Sequence, residues 1–178
     1  MTSIIKKTKT WLEDVVIKHN FCPFAKRELL RDSIRFHVVD SNDIAEALQA
    51  LADEFFYLDH QEDIETTLVI FPNGFEDFNN YLDLVDIANA LLEDQNYIGI
   101  YQLASFHPNC CFERSDNDDP ANYTNRSPYA TLHIIRESSL ARAIKNHPDT
   151  SGIPKSNIAY AKELGLEKLQ TALDLIRK

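Results

Sequence analysis

The chain has 178 residues, 44% of them hydrophobic and 26% charged, with a formal net charge of −10. That length suits a single domain over 1–178 with a core of its own, and the acidic balance disfavours nucleic acid and anionic membrane surfaces as partners. Three cysteines, an N-terminus without a leader-like apolar run and no window of spanning length point to a reducing, cytoplasmic setting without disulfides.

In chain order, residues 2–19 read as a helix, with Leu12, Val15, Val16 and His19 on one side. Asn20-Phe21-Cys22 breaks it, and Pro23 opens a second helix that runs to Leu30. Ile34, Phe36 and Val38 alternate with Arg35 and His37, as on a half-exposed strand. Ser41 or Asn42 can cap the next helix, whose stripe is Ile44, Leu48, Leu51, Phe55 and Leu58. Thr66 to Phe71 is a continuous, partly β-branched apolar run and reads as a central strand. A helix from about Asn79 carries Tyr81, Leu84, Ala88 and Leu92. Tyr97 to Ala104 and Tyr129 to Ile135 read as the third and fourth strands, and helices near 137–145, 156–164 and 166–177 close the chain.

This order predicts an α/β (or α+β) fold: a four-stranded mixed, mainly parallel sheet with helices on both faces. Two strand–helix–strand crossovers make the first three strands parallel neighbours.

Between the third and fourth strands lies SFHPNCCFERSDNDDPANYTNRSP, residues 105–128. It is well beyond the roughly 12–15 residues at which unstructured loops become uncommon. Phe106, Phe112 and Tyr123 call for burial, and three prolines stiffen the segment, so it is expected to be ordered. Its Asx and Ser/Thr side chains either hold its own backbone or serve a ligand.

Arg126 offers a fork suited to a carboxylate or phosphate, with Asn122, Asn125 and Ser127 as further donors and Lys26 and Arg27 as basic neighbours. The competing reading pairs Arg126 with Asp118 or Asp119 to lock the loop. His107 is the candidate for proton transfer, because it follows a strand and borders the loop. His133, on an otherwise apolar strand face, reads as a satisfied core residue. Cys22 at a helix start is a candidate nucleophile or a small buried hydrophobe. No spacing of His and Cys suggests a metal, so none is expected. The four glycines are scattered, which leaves no phosphate loop, and no Gly-x-Ser-x-Gly elbow occurs.

Phe-Cys-Pro-Phe-Ala is similar to the active-site stretch of some cysteine-type glutathione transferases. There, however, the cysteine follows the first strand, and here a helix precedes it. A broader resemblance rests on Trp11, Asn20-Phe-Cys-Pro-Phe-Ala-Lys26, Glu65-Thr-Thr-Leu-Val-Ile, Ala104-Ser-Phe-His-Pro108 and Asp119-Pro-Ala-Asn-Tyr-Thr-Asn-Arg-Ser-Pro-Tyr129. Together these resemble the bacterial family catalogued as domain of unknown function 1415, over nearly the whole chain. The family usually has proline where this chain has Ala130, and the resemblance implies no particular activity. Two functions remain open: an enzyme acting on a small anionic metabolite through a pocket near residues 105–128, and a non-catalytic binding or interaction domain. Co-location of Cys22, Arg27, His107 and Arg126 in one pocket would favour the enzyme, and burial of each in separate salt bridges or apolar packing the binding domain.

Overall fold

A computed structural model describes residues 3–145 and 152–178. The first helix, α1 (Ser3–Trp11), continues as a π-helical stretch, Leu12–Ile17, in which Phe21 N–H reaches back to Val16 O at 2.9 Å. The wider turn places Leu12, Val15 and Val16 together in the core. The chain then breaks at Asn20, whose φ of 54° suits a short polar side chain. After α2 (Ala25–Leu30) come β1 (Ile34–Val38), α3 (Ile44–Asp59), β2 (Thr66–Phe71), α4 (Phe78–Asp94), β3 (Tyr101–Phe106), β4 (Ala130–Arg136), α5 (Glu137–Lys145), α6 (Ile153–Leu164) and α7 (Leu166–Arg177).

Caps and breakers account for most of these boundaries. The cap of α3 is Asp43 rather than Ser41 or Asn42: its carboxylate accepts from Ala45 and Glu46 N–H, while Ser41 Oγ accepts from Asp43 N–H. Asp77 caps α4 in the same way. Residues 97–100 form a turn, not the start of β3, because Asn96 and Gly99 both take positive φ after α4. Helix α6 begins earlier than expected, since Pro154 fits its first turn.

The sheet is four-stranded and mixed, in the order β1-β2-β4-β3. Strand β2 pairs in parallel with β1 and antiparallel with β4, which also pairs antiparallel with β3. The expectation that β3 would lie beside β2 is therefore corrected. It runs in the same direction, but β4 is inserted between them, with Leu68 opposite His133 and Ala104 on its other side. The reason is connection length. The segment after β3 is long enough to carry the chain back, which allows β4 to occupy the edge of β2 and to pair β3 on its other side.

Helices cover both faces. On one, α3 and α4 bury Leu51, Phe55, Leu58, Tyr81, Leu84 and Ala88 against Val69, Phe71, Leu132 and Ile134. Phe55 stacks on Tyr101 at 5.7 Å, and Tyr81 stacks on His107 at 4.9 Å. On the other, Trp11, Leu12, Val15 and Val16 join Phe21, Tyr123, Ala161, Leu169 and Leu173, with Ile34, Phe36 and Phe106 against them. No helix among the described residues is long and apolar enough to cross a membrane.

Candidate functional site

The segment 105–128 is held by its own side chains. Asn122 is fully buried. Its Oδ1 accepts from Phe112 N–H at 2.9 Å and from Ser115 Oγ at 2.9 Å, and its Nδ2 donates to Asp116 O at 2.8 Å. Asn125 Nδ2 donates to Ser105 O at 3.1 Å, and the buried Ser127 Oγ donates to Tyr129 O at 2.6 Å. Asp119 caps the 3₁₀ turn Pro120–Thr124 and faces Lys162 at 3.4 Å. Arg126 locks the loop through neither Asp118 nor Asp119. Its Nε donates to Cys110 O at 3.0 Å and its Nη2 to Asn117 O at 2.8 Å, with the guanidinium 4.5 Å from the Tyr123 ring centre. Two of the five N–H groups of the guanidinium, the Asn125 amide and the Ser127 hydroxyl thus donate to backbone carbonyls. Trp11 Nε1 donates to Arg126 O at 2.9 Å and so fastens this segment to α1. Phe112, expected in the core, remains 37% exposed.

His107 is likewise absorbed by the scaffold. It is fully buried. Its Nε2–H donates to Phe75 O at 2.8 Å, and its Nδ1 accepts from Asn109 N–H at 3.0 Å. Both ring nitrogens are satisfied in one neutral tautomer, and burial lowers its pKa further.

Cys22 and Arg27 belong to a different place. Between α1, α2, α5 and the sheet is a pocket of about 140 Å³. Trp11, Leu12, Val16, Leu68, Phe106, Ile135, Leu140 and Ala143 make it almost wholly apolar. A dry apolar cavity of roughly that size, about 150 Å³, admits benzene. Cys22 is in its wall and Arg27 at its margin. Burial raises the Cys22 thiol pKa, partly offset by the N–H groups of Phe24 and Ala25, so its surroundings favour the thiol over the thiolate. Arg27 Nε bonds Glu28 at 2.6 Å. Glu28 also faces Arg31 at 3.6 Å, and Glu65 faces Arg31 and Arg142 at 3.9 and 3.7 Å while accepting from Ser139 Oγ. Arg27, Glu28 and Glu65 line the pocket at this margin, and Arg31 and Arg142 reach the two carboxylates from outside the lining. Lys26 is exposed on α2 and lies outside the pocket lining.

The functional candidate that sequence reasoning missed is His133, which lines the pocket from β4. Its Nε2 is 2.5 Å from Thr66 Oγ1, and that hydroxyl is also 2.5 Å from Ile134 O. The carbonyl can only accept, so the hydroxyl donates to it and accepts from Nε2–H. That fixes the tautomer and leaves Nδ1 as a bare acceptor without a hydrogen-bond partner among the described residues. Burial lowers the pKa to about 4, so the ring is neutral at neutral pH. A signal was present in the alternation: Thr66 on β2 and His133 on β4 are polar positions on the sheet face that meets α1, whereas Val69, Phe71, Leu132 and Ile134 make the opposite face apolar.

The four residues expected in one pocket therefore separate into Cys22 and Arg27 at the pocket and His107 and Arg126 in the scaffold. Among the described residues no group of three or more His, Cys, Asp or Glu side chains could hold a metal ion, and all three cysteines are free thiols. No curated protein and no solved structure matches the chain. A family model matches residues 3–171, and the chain belongs to that family, described as protein of unknown function (DUF1415).

Proposed function

We propose that the protein acts on a small anionic molecule whose apolar part, about the size of one aromatic ring, enters the pocket beneath β2 and β4. The observation that carries this reading is His133: a neutral imidazole in the wall of a largely apolar pocket, whose Nδ1 has no hydrogen-bond partner among the described residues. An acceptor in such surroundings favours a ligand that brings a donor to it. At the margin Arg27 is the basic residue of the described lining, beside Glu28 and Glu65, and an anion bound there would compete with Glu28 for its half-exposed guanidinium. A bound anion would raise the basicity of the nearby imidazole and turn His133 from acceptor to proton acceptor. In this reading His133, not His107, transfers the proton, and Arg27 orients the anion. Cys22 supplies wall rather than a nucleophile.

A non-catalytic binding domain is the second reading, favoured by the raised pKa of the Cys22 thiol and by the absence, among the described residues, of a carboxylate bonded to His133. Melting curves with 4-hydroxybenzoate and 4-hydroxyphenylacetate, whose hydroxyl can donate to Nδ1, and with benzoate, phenylacetate and hexanoate, which lack that donor, test the site. Binding to the native state raises the melting temperature, and Ala143→Leu, which places bulk in the pocket, should remove that shift. No shift with any probe, or an equal shift in Ala143→Leu, overturns the site. Calorimetry in buffers of different protonation enthalpy then separates the readings. Proton uptake on binding that is lost in His133→Leu supports the catalytic one, and binding without proton uptake supports the binding domain.

A further inference from the structure

A second concavity, a cleft of about 550 Å³, lies between the 3₁₀ turn, α6 and residues 112–115. Its floor contains Phe21, Ala121 and Ile158, and Ile158 and Phe112 remain 39% and 37% exposed at its surface. Val16, Cys22 and Phe106 line both this cleft and the pocket described above. One layer of side chains therefore divides the two spaces.

The three members of that layer differ in how readily they yield. Val16 is a β-branched residue inside the helical stretch, with a restricted χ1. Phe106 is held edge-on by Trp11 at 5.2 Å. Cys22 is on the irregular segment between the π-helical stretch and α2, has a single side-chain torsion to a small sulfur, and stays uncharged. It is the smallest and least constrained part of the partition.

We infer that the pocket and the cleft are two compartments of one site for an elongated anionic molecule with an apolar chain, and that Cys22 is the specificity-determining residue that limits its length. This inference rests on the pocket proposed above as the ligand site. The ring-sized compartment takes the first part of the chain. A longer chain must pass the Cys22 sulfur, and beyond it finds the apolar floor made by Phe21, Ala121 and Ile158. Each methylene that gains burial raises affinity about fourfold, so the length at which affinity stops rising measures the room available.

The test uses straight-chain monocarboxylates from butanoate to dodecanoate, displacing an environment-sensitive anionic naphthalene dye from the full-length protein. In the wild type, affinity should rise with length and then level off. Cys22→Ala should move that limit to longer chains, and Cys22→Ser, close to cysteine in shape, should leave it in place. Adding Ile158→Asp to Cys22→Ala should cancel the gain for long chains only, because only they reach the cleft. Melting curves establish that each variant is folded, and Cys22→Ser keeps the comparison usable should the alanine variant unfold: a limit shifted by serine would itself contradict a steric partition. Identical length profiles for wild type and Cys22→Ala overturn the inference while leaving the pocket in place. So does a gain that Ile158→Asp does not touch. Failure of the wild type to bind any chain overturns the pocket reading and the inference together.

Discussion

The two faces of the sheet solve the same packing problem differently. The face under α3 and α4 is filled: Phe55, Tyr97 and Tyr101 interlock, and His107 lies between Phe78 and Tyr81. The face under α1, α2 and α5 stops short of closure and leaves a ring-sized pocket. His107 and His133, on opposite faces, share the same neutral tautomer. His107 has partners for both nitrogens, and His133 has a partner for one. Shared residue type and shared protonation state thus say little about role. The free nitrogen and the space before it say more.

The sharpest break in this comparison is expected from core truncation. Phe55→Ala should cost about 3–5 kcal/mol, and Leu68→Ala, which only enlarges an existing space, about 2 kcal/mol, both read from urea unfolding. Equal losses would mean that the two faces are packed alike. Next come the histidines. His107→Leu leaves Phe75 C=O buried and unpaired, at about 1–3 kcal/mol, and frees the part-buried Asn109 N–H at a smaller cost. His133→Leu should stay within about 1 kcal/mol, since Thr66 keeps its bond to Ile134 O.

The same histidine sets a pH window. The folded-state pKa of His133 is about 4 against an ordinary 6.5. Its contribution to stability is therefore fully present above pH 6.5 and is lost as pH falls towards 4, because the unfolded chain takes up a proton that the folded chain refuses. Melting temperatures of His133→Leu should fall less steeply than wild type across that interval. A parallel decline would place the acid sensitivity elsewhere, His107 being the other buried imidazole with a lowered pKa.

Arg126→Ala should lose about 2 kcal/mol, the scale of hydrogen bonds from a charged donor to two carbonyls. It should leave dye and carboxylate binding unchanged, and loss of binding with full stability would restore Arg126 as an anion anchor. The smallest effect belongs to Ala143→Leu, within about 1 kcal/mol of wild type, because the added methylenes enter empty apolar space. A larger loss would show the pocket to be too tight for a side chain and hence for a ring.

Much of this was legible in the sequence. Thr66–Phe71 declared itself by an unbroken apolar run, and α3 and α7 by stripes at helical spacing, because burial dictates periodicity directly. Strand order did not, since nothing within residues 130–136 records which edge they will join. The loop donors were read correctly as polar groups with work to do, yet whether Asn122 serves a ligand or Phe112 N–H is decided by chain geometry. Ranking His107 above His133 followed from position: one borders a loop and the other is inside a strand. A cavity beside that strand arises from residues as distant as Trp11 and Leu140, and no local pattern encodes it.

The insertion of β4 between β2 and β3 also has a consequence for how the chain acquires its shape. During synthesis β1, α3 and β2 can associate as soon as they emerge, through a parallel pairing with a helical crossover. Strand β3 emerges next, but its ladder partner is β4, which follows only after residues 107–129. The sheet is therefore completed from the C-terminal side, by a strand that must bridge two edges at once. Non-local pairing of this kind is slow. A nascent chain halted before residue 130 would hold β3 as an unpaired apolar strand, dependent on protection from aggregation until the last third of the molecule arrives.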